Sequence, residues 1–348
     1  MNLYVGMDVS LQTTHLCFVD RDGAVLHEGC AASDALALDE YFRRQLDGGE
    51  ISSVVLETGP LSTAMSHGLV KLGWPVVCID ARHAHGVLKA QRTKTDRNDA
   101  RGLAQMARTG WHTATHVKSE ESLTVRVLLR GRKQLVRQRC DLENHIRGTL
   151  KTFGIKLGTA TEHNFREKVL ATISASDPLI REVMNALLLA RQGIRIQLDA
   201  LDKRCKRMAR NDDVCKRLMS VPGVGPLTAI AFKTEIDDPR RFAKSRDVGV
   251  HLGLTPRRYS SGEIDRSGGI SKCGNRNTRT ALYEAAACLL TRTRAWSALK
   301  AWGVALAKRR GFKTAATATA RKLATILHRM WMDGTEFSYG KEPCTAQV

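Results

Sequence analysis

The first 110 residues follow a pattern that few folds can accommodate: three short strands, then an alternation of helices and strands. Residues 3–9 and 14–20 are apolar and β-rich, and a third strand is predicted over 24–30. Asp22 and Gly23 form a typical hairpin-turn pair between the second and third strands. The remaining elements are predicted as helix, strand, helix, strand and helix over 33–46, 51–57, 61–72, 75–79 and 97–108.

Consecutive strands followed by helix–strand alternation predict one sheet covered by helices. This order is typical of a ribonuclease-H-like or an actin-like α/β domain. We therefore predict an α/β N-terminal domain, and its function must be argued from its site because one fold hosts many chemistries.

The middle of the chain is predicted to be two long helices over 117–210, separated by a turn region over 151–178. Apolar residues recur every seven positions in both stretches, namely Leu128, Leu135, Leu142, Leu187, Ile194, Leu201 and Met208. This spacing predicts a coiled-coil-like arm that pairs internally or with another subunit. An ordinary helical hairpin with its own core is an equal alternative.

Beyond the arm, the pattern predicts a mostly α-helical compact domain that ends near a helix over 314–332. The predicted domains are the α/β domain over 1–112, the helical arm over 113–210 and the helical domain over 211–335, followed by a tail over 336–348.

The charge distribution restricts the possible classes of function more than the overall composition does. Lys and Arg number 55 against 35 Asp and Glu, a net charge of +20, and the whole surplus lies after residue 110: residues 1–110 carry −2 and residues 111–348 carry +22. A neutral front with a basic back is typical of a nucleic-acid enzyme, because cations displace counterions from phosphates. A basic ribosome-associated or membrane-surface protein is the alternative.

Neither a membrane span nor a targeting segment is expected. No apolar run approaches 18 residues, and the N-terminus lacks a signal- or transit-peptide pattern. We expect a cytoplasmic protein. The nine cysteines are scattered singly without zinc-site spacing, and His83 with His85 is a weak metal signal.

Four acids are candidates for metal binding. Asp8 lies among apolar residues of the first strand, Glu57 ends the fourth strand, and Asp96 and Asp99 share one helix face. In a ribonuclease-H-like fold strands one and four are adjacent, so these carboxylates are expected to converge. Repulsion within such a cluster requires divalent cations, and Mg²⁺ (or Mn²⁺) prefers oxygen ligands.

Each acid taken alone also has a structural interpretation. Asp8 is compatible with an ordinary strand end. Asp96 and Asp99 are compatible with a helix N-cap and an exposed ion-pair partner of Arg97 or Arg101. Only the combination, in this order, favours catalysis.

Two runs of basic residues lie on the predicted arm. They comprise Arg126, Arg130, Arg132, Lys133, Arg137 and Arg139, then Lys203, Arg204, Lys206, Arg207 and Arg210. Such runs are usually solvated faces, but nearby acids do not neutralise these, so we predict phosphate contacts. The predicted nucleic-acid-binding residues of the arm are Arg130, Arg132, Lys133 and Arg137.

The segment VPGVGP over 221–226 resembles a helix-hairpin-helix element. Gly223 and Gly225 are predicted to let backbone N–H groups approach a DNA phosphate. The same letters also form ordinary loops between helices.

Residues 252–275 are polar, glycine-rich and basic within an otherwise helical domain. Ser260, Ser261 and Gly262 are predicted as a mobile turn near four cations, namely Arg257, Arg258, Arg266 and Lys272, of which Arg257, Arg258 and Lys272 are predicted nucleic-acid contacts. A serine in this positive field is a candidate nucleophile. Composition alone favours a DNA-contacting loop without a covalent role.

The whole chain resembles the insertion-sequence-110 family of DEDD transposases. The resemblance depends on GMDVS, LETGP, KTDRNDARGLA, PGVGPLTA, LGLTPRRYSSG, ISKCGN and ARKLATILHRMW. It implies a RuvC-like N-terminal domain whose metal-binding acids are Asp8, Glu57, Asp96 and Asp99. It also implies a nucleophilic serine at Ser261, with Ser260 as the fallback, in a C-terminal transposase domain.

The family resemblance further implies a site-specific recombinase guided by a structured bridge RNA that pairs with donor and target DNA. Ser261 would form a covalent 5′-phosphoserine link, with the metal cluster assisting. A homo-oligomer, dimer or tetramer, is expected.

Three other functions share some of these features. A RuvC-like endonuclease or junction resolvase would use the same acids with water as the nucleophile. An actin-like sugar kinase or ATPase would share the GMDVS start, but no second glycine-rich phosphate loop is present in the front domain. A non-enzymatic nucleic-acid chaperone would leave Asp8 unexplained.

Overall fold

The computed structural model describes residues 1–46, 48–89 and 93–340. The chain divides into two compact units, Met1–Lys118 and a second unit from Ser119 onward. Within the described ranges, none of the helices combines the length and apolarity that crossing a bilayer requires.

The first unit is a five-stranded mixed sheet with helices. Its strands are β1 (Asn2–Val9), β2 (Thr13–Val19), β3 (Val25–Ala32), β4 (Glu50–Glu57) and β5 (Val76–Ile79), in the order β3-β2-β1-β4-β5. β1 pairs antiparallel with β2 and parallel with β4. The helices are α1 (Ala35–Arg44), α2 (Ser62–Lys71), α3 (Ala81–Leu88) and α4 (Asp96–Thr109).

Alternation along β1 sends its side chains to two differently covered faces. Val5 and Met7 are fully buried with Phe18 and with Leu38 and Phe42 of α1. The other face of the sheet packs against α4, whose Ala100 and Ala104 are fully buried. The predicted adjacency of strands one and four, and the α/β character of this unit, are confirmed.

Gly6 sets how closely α4 lies on β1. A Cβ atom at this position would lie 2.1 Å from the Ala100 carbonyl oxygen and 2.2 Å from the Ala104 nitrogen, both backbone atoms. Backbone cannot move aside as a flexible side chain can, so only glycine permits this approach. Because Asp8 follows Gly6 by two residues, the same face of β1 carries that carboxylate toward α4.

Over residues 119–340, the second unit is helical apart from one hairpin. Its helices are α5 (Glu120–Thr152), α6 (Phe165–Thr172), α7 (Pro178–Asn211), α8 (Asp213–Met219), α9 (Pro226–Ile236), α10 (Asp247–His251), α11 (Arg276–Thr291), α12 (Ala298–Arg310) and α13 (Phe312–Asp333). The hairpin consists of β6 (Pro256–Ser261) and β7 (Ile264–Ile270). The main core is formed largely by α8, α9, α11 and α13, and includes Phe232, Leu289 and Leu323.

Helices α5 and α7 form the predicted arm and pack antiparallel, with a second core where α6 joins them. Ile146, Phe165 and Met184 are buried there. The buried residues of α7 are Met184, Leu188, Arg191, Leu198, Cys205 and Ala209, while the predicted heptad residues are only half-buried. The predicted heptad residues of α7 therefore lie beside its row of buried residues and not within it.

Several local expectations need correction. The predicted turn region over 151–178 contains α6, and α3 was not expected. The supposed mobile loop over 252–275 contains the β6–β7 hairpin, with Ser260 and Ser261 ending β6. These strands are exposed, so they lack the apolar alternation by which strands are recognised. The division into three functional domains and a tail stays a prediction.

Gly6→Ala is expected to destabilise the first unit by about 1–3 kcal/mol, because the added methyl overlaps backbone atoms of α4. Urea unfolding followed by circular dichroism measures the loss. Gly86→Ala is the matched control: a Cβ there meets nothing within 4 Å and α3 is helical, so stability should stay equal or rise. Equal stability of the Gly6→Ala protein and the wild type would contradict this account of the α4–β1 contact.

Candidate functional site

Three of the four predicted acids line one cavity of about 400 Å³ in the first unit. Asp8 comes from β1, Glu57 from β4 and Asp99 from α4. All three are half-buried. The cavity therefore collects carboxylates from elements that are far apart in the chain.

The sheet register explains why two of these acids are neighbours. Met7 of β1 is paired with Leu56 of β4 in parallel, so Asp8 and Glu57 follow side by side on adjacent strands. Asp8 is the penultimate residue of β1 rather than its middle, and Glu57 is the last residue of β4. Both therefore lie at the carboxyl edge of the sheet.

The start of α4 supplies the other two acids. Thr95 is the N-cap, its hydroxyl accepting the backbone N–H of Asn98, so Asp96 is the first helical residue rather than the cap. Asp96 and Asp99 both lie in the first turn, where the helix dipole favours negative charge. Asp96 does not line the cavity: its side chain is 62% exposed and lies 3.8 Å from Nε2 of His15.

The acids act on one another electrostatically. Burial first, and then the negative charges of Asp96, Asp99 and Glu57, raise the pKa of Asp8 to about 6, while His15 opposes the rise. Burial and Asp99 likewise raise the pKa of Glu57. Burial and nearby negative charge thus disfavour the ionisation of Asp8 and Glu57.

The donor set fits a hard divalent cation. Among the described residues, none makes a hydrogen bond or ion pair to the carboxylates of Asp8, Glu57 or Asp99. Carboxylate oxygens are the ligands that Mg²⁺ and Mn²⁺ prefer. However, no three His, Cys, Asp or Glu side chains of the described chain stand close enough together to hold an ion. Their mutual repulsion opposes closer approach.

Glu28 of β3 anchors the helix that carries Asp96 and Asp99. Its carboxylate accepts hydrogen bonds from Arg97 Nε and Arg101 Nη2, both at 2.8 Å. These hydrogen bonds lower the pKa of Glu28 to about 2. The alternative in which Arg97 and Arg101 pair with the acids of α4 is therefore wrong.

Three cavity residues were not expected as site residues. His85, Lys89 and Lys94 line the cavity, and Lys94 and His85 partly offset the pKa rise of Glu57. Lys94 stands two positions before Asp96, which was a usable signal. His85 and Lys89 come from α3 and its end, an element that the sequence did not indicate.

In the second unit, the hairpin register separates the two candidate serines. Ser260 is opposite Asp265, and Ser261 is opposite Ile264, across a two-residue turn with Gly262 in the left-handed region. Strand alternation therefore puts the two hydroxyls on opposite faces.

The two hairpin faces differ in charge. The Ser260 face carries Asp265, whose carboxylate accepts from Arg258 Nη2 at 2.7 Å. The Ser261 face carries Tyr259 and Arg266, which are opposite each other.

Several predicted nucleic-acid contacts of the arm have protein partners instead. Arg126 pairs with buried Glu235, Arg132 with Asp202, and Arg139 with Glu162. The expectation that no nearby acid neutralises the first run is thus wrong at these three positions, because the acids come from other parts of the chain: α7, α9 and the turn before α6. Lys133 donates to Asn277 Oδ1, whereas Arg130 and Arg137 are exposed, and their roles stay predictions.

The VPGVGP segment packs closely against another helix. Gly223 has a φ of 90°, and a Cβ there would lie 2.5 Å from the Ala285 carbonyl oxygen of α11. Gly225 is the N-cap of α9, with Pro226 as the first helical residue. Gly223 is therefore required for packing, and phosphate binding by either glycine stays a prediction.

Comparisons with known proteins match both the front and the back of this chain to transposases. The transposase model of the DEDD IS110 type matches residues 5–155, and the model "Transposase IS116/IS110/IS902 family" matches residues 215–301. The chain is 31% identical to the "Probable family 20 transposase" of Pseudomonas aeruginosa, over 94% of this chain and 96% of that protein.

Two further relatives show the range of the similarity. "Transposase for insertion sequence element IS1111A" of Coxiella burnetii is 29% identical, over 93% of this chain and 88% of its own. The "Pilin gene-inverting protein" of Moraxella bovis is 22% identical, over 80% of each chain.

Asp8→Asn is expected to stabilise the metal-free protein above pH 6. The raised pKa of Asp8 means that ionising it costs folding free energy, so wild-type stability falls as pH rises from about 4 to about 6. The amide lacks this cost, so the variant should be more stable by about 1 kcal/mol at pH 7, a figure reduced for the half-exposed carboxyl, and equal at pH 4.

Urea unfolding in a chelating buffer at pH 4, 5, 6 and 7 tests this difference. Glu40→Gln, at an exposed ion-paired position of α1, is the control and should follow the wild type. A constant difference between the Asp8→Asn protein and the wild type at all four pH values would contradict the assignment.

Proposed function

The chain belongs to the IS116/IS110/IS902 family of transposases, enzymes that cut and rejoin DNA, and on that premise we propose its mechanism. Asp8, Glu57, Asp96 and Asp99 hold Mg²⁺ or Mn²⁺, and Ser261 is the nucleophile. The observation that carries the proposal is that Asp8, Glu57 and Asp99, from three separate elements, line one cavity.

The fold of the first unit supports a RuvC-like assignment. Its order β3-β2-β1-β4-β5, with three antiparallel strands and a parallel β1-β4-β5 edge, is the order of ribonuclease-H-like sheets. The acids lie at the carboxyl edge of β1 and β4, where α/β sheets commonly place ligands.

The acid residues hold the metal by their charge and position. When bound, a divalent ion stabilises the negative charge that develops on a reacting phosphodiester. Because Asp8 has a raised pKa, it loses a proton before it binds a cation. Asp96, which lies outside the cavity lining, would complete the set by turning from His15. Lys94 adds positive charge for a phosphate at the cavity rim, and His85 lines the same cavity.

Ser261 is favoured over Ser260 by its surroundings. A DNA phosphate on the Ser260 face would meet the carboxylate of Asp265, whereas the Ser261 face carries Arg266 and Tyr259. Anions are stabilised by nearby cations and destabilised by carboxylates.

The covalent step conserves the phosphodiester. The Ser261 oxygen bonds to phosphorus, the bond from phosphorus to the 3′ oxygen breaks, and the serine proton is transferred overall to that 3′ oxygen. The product is a 5′-phosphoserine and a free 3′-hydroxyl, and attack by another 3′-hydroxyl reverses the step and rejoins DNA. No external energy source is required.

The remaining partners follow from family membership and charge. We include a bridge RNA that pairs with donor and target DNA, and a homo-oligomer that brings two DNA ends together. The net charge of +20 supports binding of a second polyanion besides DNA. Exposed Arg130, Arg137 and Arg257 are the candidate backbone contacts.

Ser261→Ala should abolish a covalent protein–DNA adduct while DNA binding persists, because only the nucleophile is removed. Radiolabelled element-end DNA, incubated with bridge RNA and Mg²⁺ and run on a denaturing gel, measures the adduct. Ser260→Ala is the matched control and should retain it. If the adduct disappears in the Ser260→Ala protein and persists in the Ser261→Ala protein, the nucleophile is Ser260. Cleavage without any adduct in the wild type would instead favour the water-using RuvC-like nuclease.

Asp8→Asn and Asp99→Asn should each weaken Mn²⁺ binding by more than about tenfold, because each removes a negative ligand. Electron paramagnetic resonance of free Mn²⁺ measures the affinity without requiring activity. Asp22→Asn, at an exposed acid of the same unit, is the control. Unchanged Mn²⁺ affinity in both variants would rule out this metal site.

A further inference from the structure

We propose that a cavity at the foot of the β6–β7 hairpin binds a backbone phosphate of the DNA whose cleavage Ser261 performs. The cavity has a volume of about 510 Å³ and is lined by Lys272, Arg276, Arg279 and Tyr283, among others. The inference depends on the proposed function for the identity of the DNA, but its test does not require catalysis.

The lining of this foot cavity is positively charged, and no carboxylate of the described lining neutralises the charge. Lys272, Arg276 and Arg279 contribute three positive groups, and no acidic side chain of the described chain lines it. Burial and the neighbouring charge of Arg276 lower the pKa of Arg279. Because the cations of this cavity repel one another, an anion bound between them offsets that repulsion. A phosphate suits the cavity because it accepts several hydrogen bonds at once.

Protein contacts leave most of these groups available. Arg279 is committed, because its Nη1 donates to the Cys273 carbonyl at 2.7 Å and the Leu252 carbonyl at 3.0 Å. In contrast, the Lys272 ammonium, the Arg276 guanidinium and the Tyr283 hydroxyl make no hydrogen bond or ion pair within the described ranges. Arg279 therefore shapes the cavity, and the other three can bind a ligand.

The backbone at the foot of the hairpin is closely packed. A Cβ at Gly253 would lie 2.4 Å from the Cys273 nitrogen, and one at Gly274 would lie 2.1 Å from the His251 carbonyl oxygen. Both glycines have positive φ, and the backbone contacts hold the two roots of the hairpin together. Lys272 itself has a φ of 59°, which is unfavourable for a side-chain-bearing residue. The backbone at the foot is thus held in place before binding, and only the exposed side chains of Lys272 and Arg276 have to be ordered by a ligand.

Distance favours DNA as the source of the phosphate. β7 makes six steps from Ile264 near the hairpin tip to Ile270 at its foot, which at about 3.3 Å per residue is about 20 Å. At about 3.4 Å per base pair this corresponds to about six base pairs of duplex. A duplex that presents its scissile phosphate to Ser261 and runs along the exposed hairpin thus reaches Lys272 and Arg276.

The salt dependence of DNA binding tests the proposal. Element-end duplex DNA is titrated with Ser261→Ala protein, which prevents turnover, at 50–300 mM salt, followed by fluorescence anisotropy. Adding Arg276→Gln should weaken binding about tenfold at the lowest salt and reduce the slope of log affinity against log salt by about 0.9, one phosphate contact.

Arg329→Gln is the matched control. Arg329 is an exposed arginine of α13 that is paired with Asp333, so its removal changes net charge equally and should leave the slope unchanged. Tyr283→Phe should weaken binding less than Arg276→Gln, because it removes one neutral donor. Equal slopes for the Arg276→Gln and Arg329→Gln proteins would overturn the proposal.

A neutral methylphosphonate in the DNA locates the contact. Placed about six nucleotides from the scissile phosphate, it should weaken binding by the Ser261→Ala protein but cause no further loss when Arg276→Gln is also present. Further loss in the double variant at every position would overturn the proposal, as would an effect of Arg276→Gln on single-stranded RNA alone.

The two proposals fail separately. If the wild type forms no covalent adduct, the role of Ser261 fails while the salt slope still tests the foot cavity. If the adduct forms and Arg276→Gln leaves both slope and affinity unchanged, only the cavity assignment fails.

Discussion

The candidate metal site depends on one backbone contact, the approach of α4 to β1 over Gly6. A single added carbon at Gly6 would overlap the helix backbone, so the contact requires glycine. It brings the first turn of α4 to the edge of the sheet where Asp8 and Glu57 are adjacent. Glu28 then fixes the helix from the other side, through hydrogen bonds from Arg97 and Arg101. Packing geometry therefore brings together acids that repel one another.

Charge is organised differently in the two units. In the first, carboxylates gather in a cavity and raise the pKa values of Asp8 and Glu57, the expected behaviour of a site built to receive a cation. In the second, cations surround the foot of the hairpin, where no acid lines the described cavity. The first arrangement suits a metal ion and the second suits a phosphate.

Exposed structure was harder to predict than buried structure. The strands of the first unit follow apolar patterns because one or both of their faces are buried, and the expected order of elements held closely. The β6–β7 hairpin has almost no buried side chain, so its polar, glycine-rich sequence has the composition of a loop. α3 is short and only Ala84 is fully buried, which leaves a weak helical pattern.

The sequence by itself determined the order of the sheet elements, the four acids as candidates and, through its motifs, the family. Those features depend on local periodicity and on residue identity, which can be read along the chain. Only the tertiary structure decided that Arg126, Arg132 and Arg139 are paired, that the two serines face opposite ways, and that a cationic cavity lies at the foot of the hairpin that carries them. These depend on contacts between residues distant in sequence, and local patterns carry no record of such contacts.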